Sequence, residues 1–140
     1  MNAIQFIQQH GIEKAREELN KLPNSNVTHM TSDARTFIDE NNPLLDEFQR
    51  SQIRDLICIK ELKRLIASFD LINANGGLNG TKNTITLFQS SLDLGLYHGV
   101  DGVDAEFEIP RLKQAIADYE SVYSIPESVR QAILNLEMHL

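Results

Sequence analysis

Tryptophan is absent from this chain, cysteine occurs once and proline four times in 140 residues. A lone cysteine, Cys58, excludes an internal disulfide and any cysteine-based zinc site. It also points to a reducing compartment. Aromatic residues make up only 6% of the chain, so the core must lean on leucine and isoleucine. No apolar run approaches the ~18 residues needed to cross a membrane, and the opening residues do not read as a signal peptide. The expected location is the cytoplasm, with no membrane partner.

Positive charge is the other scarcity. Thirteen Lys and Arg face twenty Asp and Glu, a formal net charge of -7. Phosphate-gripping domains usually carry a basic stripe and a basic pI. Nucleic acid is therefore a disfavoured partner, and the acidic balance fits solubility, a basic protein partner or mimicry of nucleic acid. What is present is ordinary for a globular domain: 41% hydrophobic and 24% charged residues.

The spacing of apolar residues predicts a mainly α fold. It is a single compact helical domain, 1–140, of five to seven helices with a minor β element. Ile4 and Ile7, then Ile12, Ala15, Leu19 and Leu22, predict a helical hairpin over 2–22, with Gly11 at its turn. Residues 24–56 form a variable segment. In it Val27 to Met30 read as a short strand, and Thr31 or Ser32 as the cap of a short helix bearing Ala34, Phe37 and Ile38. Apolar periodicity then runs from Leu44 to Asn75, in a helix buried on more than one side or broken near Ser51. Cys58, Ile59, Leu62, Leu65, Ile66, Phe69 and Ile72 form its main stripe, within a helical core over 57–123. Gly76 or Gly77 supplies the left-handed residue that ends it. Residues 83–89 are β-branched, but Ile85, Phe88 and Leu92 recur at helical spacing, so helix is the reading. An α+β fold with a strand there is the alternative. Val103, Ala105, Phe107 and Ile109 alternate with Asp104, Glu106 and Glu108, the period of a half-buried strand, with Pro110 opening the next helix. A C-terminal helix, 126–140, closes the chain.

Chemistry-bearing residues are few. His98, Asp101 and Asp104 could be read as an acid/base or metal loop, but the run matches no EF-hand pattern. In a strand, Asp104, Glu106 and Glu108 would stand ~6–7 Å apart, too far to chelate one ion tightly. No nucleophile elbow, P-loop, zinc-protease helix or dinucleotide fingerprint occurs. Asp39, Glu40, Asp46 and Glu47 read as solvated carboxylates. The expectation is therefore no catalytic residue, no metal and no cofactor. The candidate partner-binding residues are Asp101, Asp104, Glu106 and Glu108 on an acidic edge, and Lys60, Lys63 and Arg64 on a basic helix face. Val129, Ile133, Leu136 and Leu140 form an apolar stripe that is a candidate homodimer contact.

Four segments, "FIQQHGIEKAREELNKLP", "CIKELKRLIASFDLI", "NGGL" and "LKQAIADYESV", together resemble small, variable, mostly uncharacterised accessory proteins of temperate phages and prophages of enteric bacteria. The matching positions are His10, Gly11, Ile12, Lys14, Ala15, Leu62, Lys63, Arg64, Gly76, Gly77, Leu78, Ala115, Ile116, Ala117 and Asp118. The four segments cover roughly a third of the chain, and the matching positions include no catalytic constellation. The resemblance implies a setting, a phage-encoded product in the bacterial cytoplasm, and not a reaction. Residues 24–56 and the segment after Pro126 fall outside it. The functional expectation is a non-catalytic accessory protein that binds and modulates a host or competing-phage protein, in host takeover or counter-defence. The alternative is a nucleic-acid-associated regulator using the N-terminal hairpin and the Lys60/Lys63/Arg64 face.

Overall fold

Asn2 starts the first helix with a reciprocal cap. Its side chain accepts from the Gln5 amide at 2.8 Å, and the Gln5 side chain accepts from the Asn2 amide at 2.9 Å. The computed structural model describes residues 1–95 and 105–123. Six helices account for 67% of them, with one small sheet, so the fold is mainly α with a minor β element. Helix α1 (Ala3–His10) and helix α2 (Ile12–Asn20) form the hairpin expected from spacing, joined at Gly11. Strands β1 (His29–Met30) and β2 (Phe37–Ile38) follow, then helix α3 (Glu47–Ile53) and strand β3 (Ile57–Cys58). Helices α4 (Ile59–Ala74), α5 (Gly77–Asp93) and α6 (Ala105–Tyr123) complete the described residues. The C-terminal helix expected over 126–140 lies outside them.

Helix α4 is the axis of the fold. It packs against α1, α2, α5, α6 and β3. Leu62 and Leu65 are fully buried, and Ile66, Phe69 and Ile72 nearly so. Leu62, Leu65, Ile66 and Phe69 share one apolar cluster with Phe6 and Ile7 of α1, Met30 and Ile57 of the sheet, and Val122 of α6. Truncating any of these leucines costs about 2–5 kcal/mol, because a close-packed core collapses only partly onto the cavity. Phe69 adds ring contacts to Tyr119 and Tyr123 of α6, at centroid distances of 5.3 and 5.4 Å.

Several sequence expectations are corrected. Phe37 and Ile38 lie in strand β2, not in a helix capped by Thr31 or Ser32. The side chains of the 31–36 turn capture the amides that a helix would need: the Asp33 carboxylate accepts from Arg35 N at 3.1 Å and the Thr31 hydroxyl from Thr36 N at 3.2 Å. The short strand expected within Val27–Met30 is β1, and in the antiparallel order β2-β1-β3 it pairs with 37–38 and 57–58.

The long apolar run does break near Ser51, as expected, with α3 ending at Ile53. Asp55 and Leu56 bond back three residues, the Ile59 amide donates to Thr28 O, and fully buried Ile57 pairs with Met30. Cys58 is consequently an extended, half-buried residue that precedes α4, not a mid-stripe core position.

The run from Ala105 to Ile109 is the first part of α6, not a strand. Ala105, Ile109 and Leu112 are buried at i, i+4 and i+7, while Phe107 is 67% exposed. Glu106 and Glu108 sit in the helix's first turn, where the backbone dipole favours carboxylates. Pro110 lies inside the helix and does not start it.

Residues 83–89 are helical, as expected, although α5 starts six residues earlier than Asn83. Its β-branched and hydroxyl side chains fit by bonding back one turn: Thr81 to Gly77 O, Thr84 to Gly80 O and Thr86 to Lys82 O, at 2.8–3.1 Å. Gly76 takes the left-handed conformation (φ 85°, ψ 25°) between α4 and α5, as the "NGG" signal predicts.

Candidate interaction surface

The two sites named from sequence fare differently. Of the acidic set, Asp101 and Asp104 lie outside the described residues, as does His98. Glu106 and Glu108 do not form a row on a strand. They project in different directions from α6, and both oxygens of Glu108 accept from Arg111 Nη1, at 3.0 and 2.9 Å. Among the described residues no group of three or more His, Cys, Asp or Glu is placed to hold a metal ion. The apolar stripe Val129, Ile133, Leu136 and Leu140 also lies outside the described residues.

Lys60, Lys63 and Arg64 do share the outer face of α4, and all three are exposed. Their commitments differ. Arg64 Nη2 lies 3.4 Å from Oδ1 of Asp118. Lys60 and Lys63 form no ion pair among the described residues, and line a hollow with Thr28, His29, Glu40 and Cys58. The cations of α2 are engaged as well. Lys14 pairs with Glu18 at 3.0 Å, and Arg16 with Asp70 of α4. The Glu18 hydrogen bond holds the Lys14 ammonium above its ordinary pKa.

Asp118 itself is 4% exposed. Ser68 Oγ donates to it at 2.6 Å and Gln114 Nε2 at 3.0 Å. It falls at the 115–118–122 spacing of the inner face of α6, and that spacing was the available signal for a carboxylate at a core position. With Oδ2 bonded to Ser68 and Oδ1 facing Arg64 and Gln114, Asp118 ties α4 and α6 together.

A different surface was not found from sequence. Helix α3 has both ends of a capping box, Asp46 with Gln49, yet it buries none of its residues. The loop before it is fixed by polar bonds. Arg50 donates to the carbonyls of Glu40 and Asn42, at 3.1 and 3.0 Å. The Glu40 amide donates to Thr28 Oγ1, and the Asp39 carboxylate accepts from the Asn41 amide, each at 2.9 Å. These bonds order the segment without covering its apolar side chains. Leu44 is 88% exposed and Phe48 72%.

Between α3 and β2 lies a hollow of about 380 Å³, lined by Thr36, Phe37, Ile38, Asp39, Asn42, Leu45, Phe48, Gln49 and Gln52. Strand β2 is an outer strand of the sheet, so the hollow opens beside a sheet edge. One signal for it was available in the sequence: Leu44, Leu45 and Phe48 lie outside the main stripe of the long apolar run.

No protein-family profile, curated protein or solved structure matches this chain. Among the described residues no helix is long and apolar enough to cross a membrane.

Proposed function

We propose that this protein works by docking onto another protein, without a reaction of its own, through the surface formed by β2, the 39–45 loop and α3. The observation that supports this reading is a segment ordered by hydrogen bonds whose largest apolar side chains, Leu44 and Phe48, stay in water. Ordering that surface before binding lowers the entropy cost of association. Contiguous exposed apolar groups with a polar rim are the usual mark of a contact site. The setting we assign is the one implied by the four resembling segments: a phage or prophage accessory product that alters a host or rival-phage protein in the bacterial cytoplasm.

A photo-crosslinking residue at position 48, compared with one at exposed Asn73, tests the docking in living bacteria. A defined adduct at 48 and none at 73 is expected. Equal labelling at both positions, or none at 48, would sink the reading.

The second reading, a nucleic-acid-associated regulator, rests on Lys60 and Lys63, which stand beside His29 without ion-pair partners among the described residues. A low-salt gel shift abolished by Lys60→Glu with Lys63→Glu would promote it, and no shift at low salt would remove it.

A further inference from the structure

We infer that the hollow between β2 and α3 receives an extended, basic segment of another protein, anchored by large apolar side chains. This rests on the docking reading above and adds the chemistry of the partner.

Charge is the first argument. Residues 33–55 carry six carboxylates (Asp33, Asp39, Glu40, Asp46, Glu47, Asp55) and three arginines (Arg35, Arg50, Arg54), so their sum is -6 + 3 = -3, and they include no lysine. Arg50 is turned onto the Glu40 and Asn42 carbonyls, which removes its donors from the surface. Two carboxylates around the hollow are themselves fixed: Asp39 holds the Asn41 amide and Asp46 the Gln49 amide. An arriving cation meets charge already in position, within a molecule of net charge -7 that draws cations from a distance.

Shape is the second. One wall of the hollow is four consecutive residues, Thr36 to Asp39, of which Phe37 and Ile38 form the outer strand β2 of the sheet. An extended chain beside such an edge can set alternate side chains into the hollow and leave the others facing its rim. Apolar residues would fill the space between Phe37 and Phe48. Lysines or arginines, one position along, would meet Asp39 in the lining and Asp46 at the start of α3. Leu44, next in the chain to the lining residue Leu45, adds a further exposed apolar side chain.

The test uses the full chain and three labelled octapeptides, alternating Lys-Leu, Lys-Ser and Glu-Leu, followed by fluorescence anisotropy. Lys-Leu is expected to bind at least about tenfold more tightly than either other peptide, and to weaken as salt rises. Phe48→Ser should abolish that preference with an unchanged thermal midpoint, since Phe48 is mostly exposed; Glu13→Gln on α2 should leave it intact. Equal binding of Glu-Leu overturns the basic partner, and equal binding of Lys-Ser overturns the apolar anchor. Indifference to Phe48→Ser overturns the location. A dimer in sedimentation that Phe48→Ser dissolves would give the hollow to a second copy. Lys-Leu binding seen only with Ile133→Asp would give it to the chain's own terminal stripe; either result overturns the inference. The adduct at position 48 reports docking whatever the partner's charge, so loss of the basic preference alone leaves the docking reading standing.

Discussion

Gly80→Ala should destabilise this protein, although it places alanine inside a helix. In a helix interior that exchange ordinarily gains about 0.5–1 kcal/mol, because glycine loses the most backbone freedom on folding. Gly80 is the fourth residue of α5, just past the corner from α4. A Cβ built there would lie 2.1 Å from the carbonyl oxygen of Asn75 and 3.1 Å from its carbonyl carbon. The obstacle is backbone, so no rotamer change relieves it. Asn75 is itself pinned: its amide donates to Leu71 O and Ile72 O, and its side-chain amide to Leu71 O at 2.8 Å. Either the cap of α4 or the first turn of α5 must shift. Overpacking of this kind costs about 1–3 kcal/mol, and a backbone obstacle argues for the upper part of that range. Subtracting the helix-propensity gain leaves a net loss of about 1–2 kcal/mol, or a fall of roughly 3–8 °C in midpoint. Urea unfolding followed by circular dichroism measures it, with the denaturant slope unchanged. Gly76→Ala is the informative comparison. Its Cβ would meet only an ordinary contact at 3.8 Å, so its cost of about 1–2 kcal/mol comes from the left-handed backbone alone. A Gly80→Ala protein as stable as the parent, or more so, would refute the steric reasoning.

Asp118→Ala should cost about 2–3 kcal/mol, since it leaves the buried Ser68 hydroxyl without an acceptor, while Asp118→Asn should recover much of that through its remaining carbonyl oxygen. Urea midpoints of the two variants decide it, and equal losses would deny the hydrogen-bond explanation. Met30→Ala, at a fully buried position in the central strand, should lose about 2–5 kcal/mol in the same assay; a loss under half a unit would mean that the sheet is not part of the core. The Arg16 hydrogen bond holds Asp70 below its ordinary carboxylate pKa of 3.8. A lowered folded-state pKa means that the contribution is complete above the unfolded value and disappears as pH falls through 3.8 and below. The pair is one-third to one-half exposed and therefore screened, so Asp70→Asn should cost only about 0.2–1 kcal/mol at neutral pH, and the gap to the parent should narrow as pH falls below 3.8. A gap that persists in acid would assign the loss to packing.

How much of this was legible follows from where the side chains spend their hydrogen bonds. The hairpin α1–α2, the Gly76 corner and the helical state of 83–89 were readable because local spacing and packing agree there. The segment 31–38 was not. Its apolar spacing suits a helix, and the decision falls to Thr31 and Asp33, whose oxygens capture amides inside a turn. The break between α3 and α4 was also hidden. Nothing in "QIRDLICIK" breaks helical periodicity, and the chain leaves the helix because Ile57 gains a place beside Met30, a tertiary gain that no local window contains.

The acidic run at 101–108 shows how such an ambiguity passes into a functional reading. Alternation of period two and burial at i, i+4 share their endpoints: Ala105 and Ile109 are inward on either reading, and only Phe107 distinguishes them. A strand makes Phe107 a core residue and lines up the carboxylates as an edge; the helix turns Phe107 outward and pairs Glu108 with Arg111. The same logic, reversed, governs the 36–52 surface. Phe48 looks like one more apolar residue in a long helix only while that helix is continuous. Once Ile57 pulls the chain into the sheet, α3 is cut loose from the core and its apolar side chains have nothing of their own to cover among the described residues. An apolar residue without a stripe therefore carries more functional information here than any cluster of charge. A Phe48→Ser protein that aggregates less than the parent, with its fold intact, is the simplest expected consequence, and one that aggregates more would place Phe48 back in the service of the core.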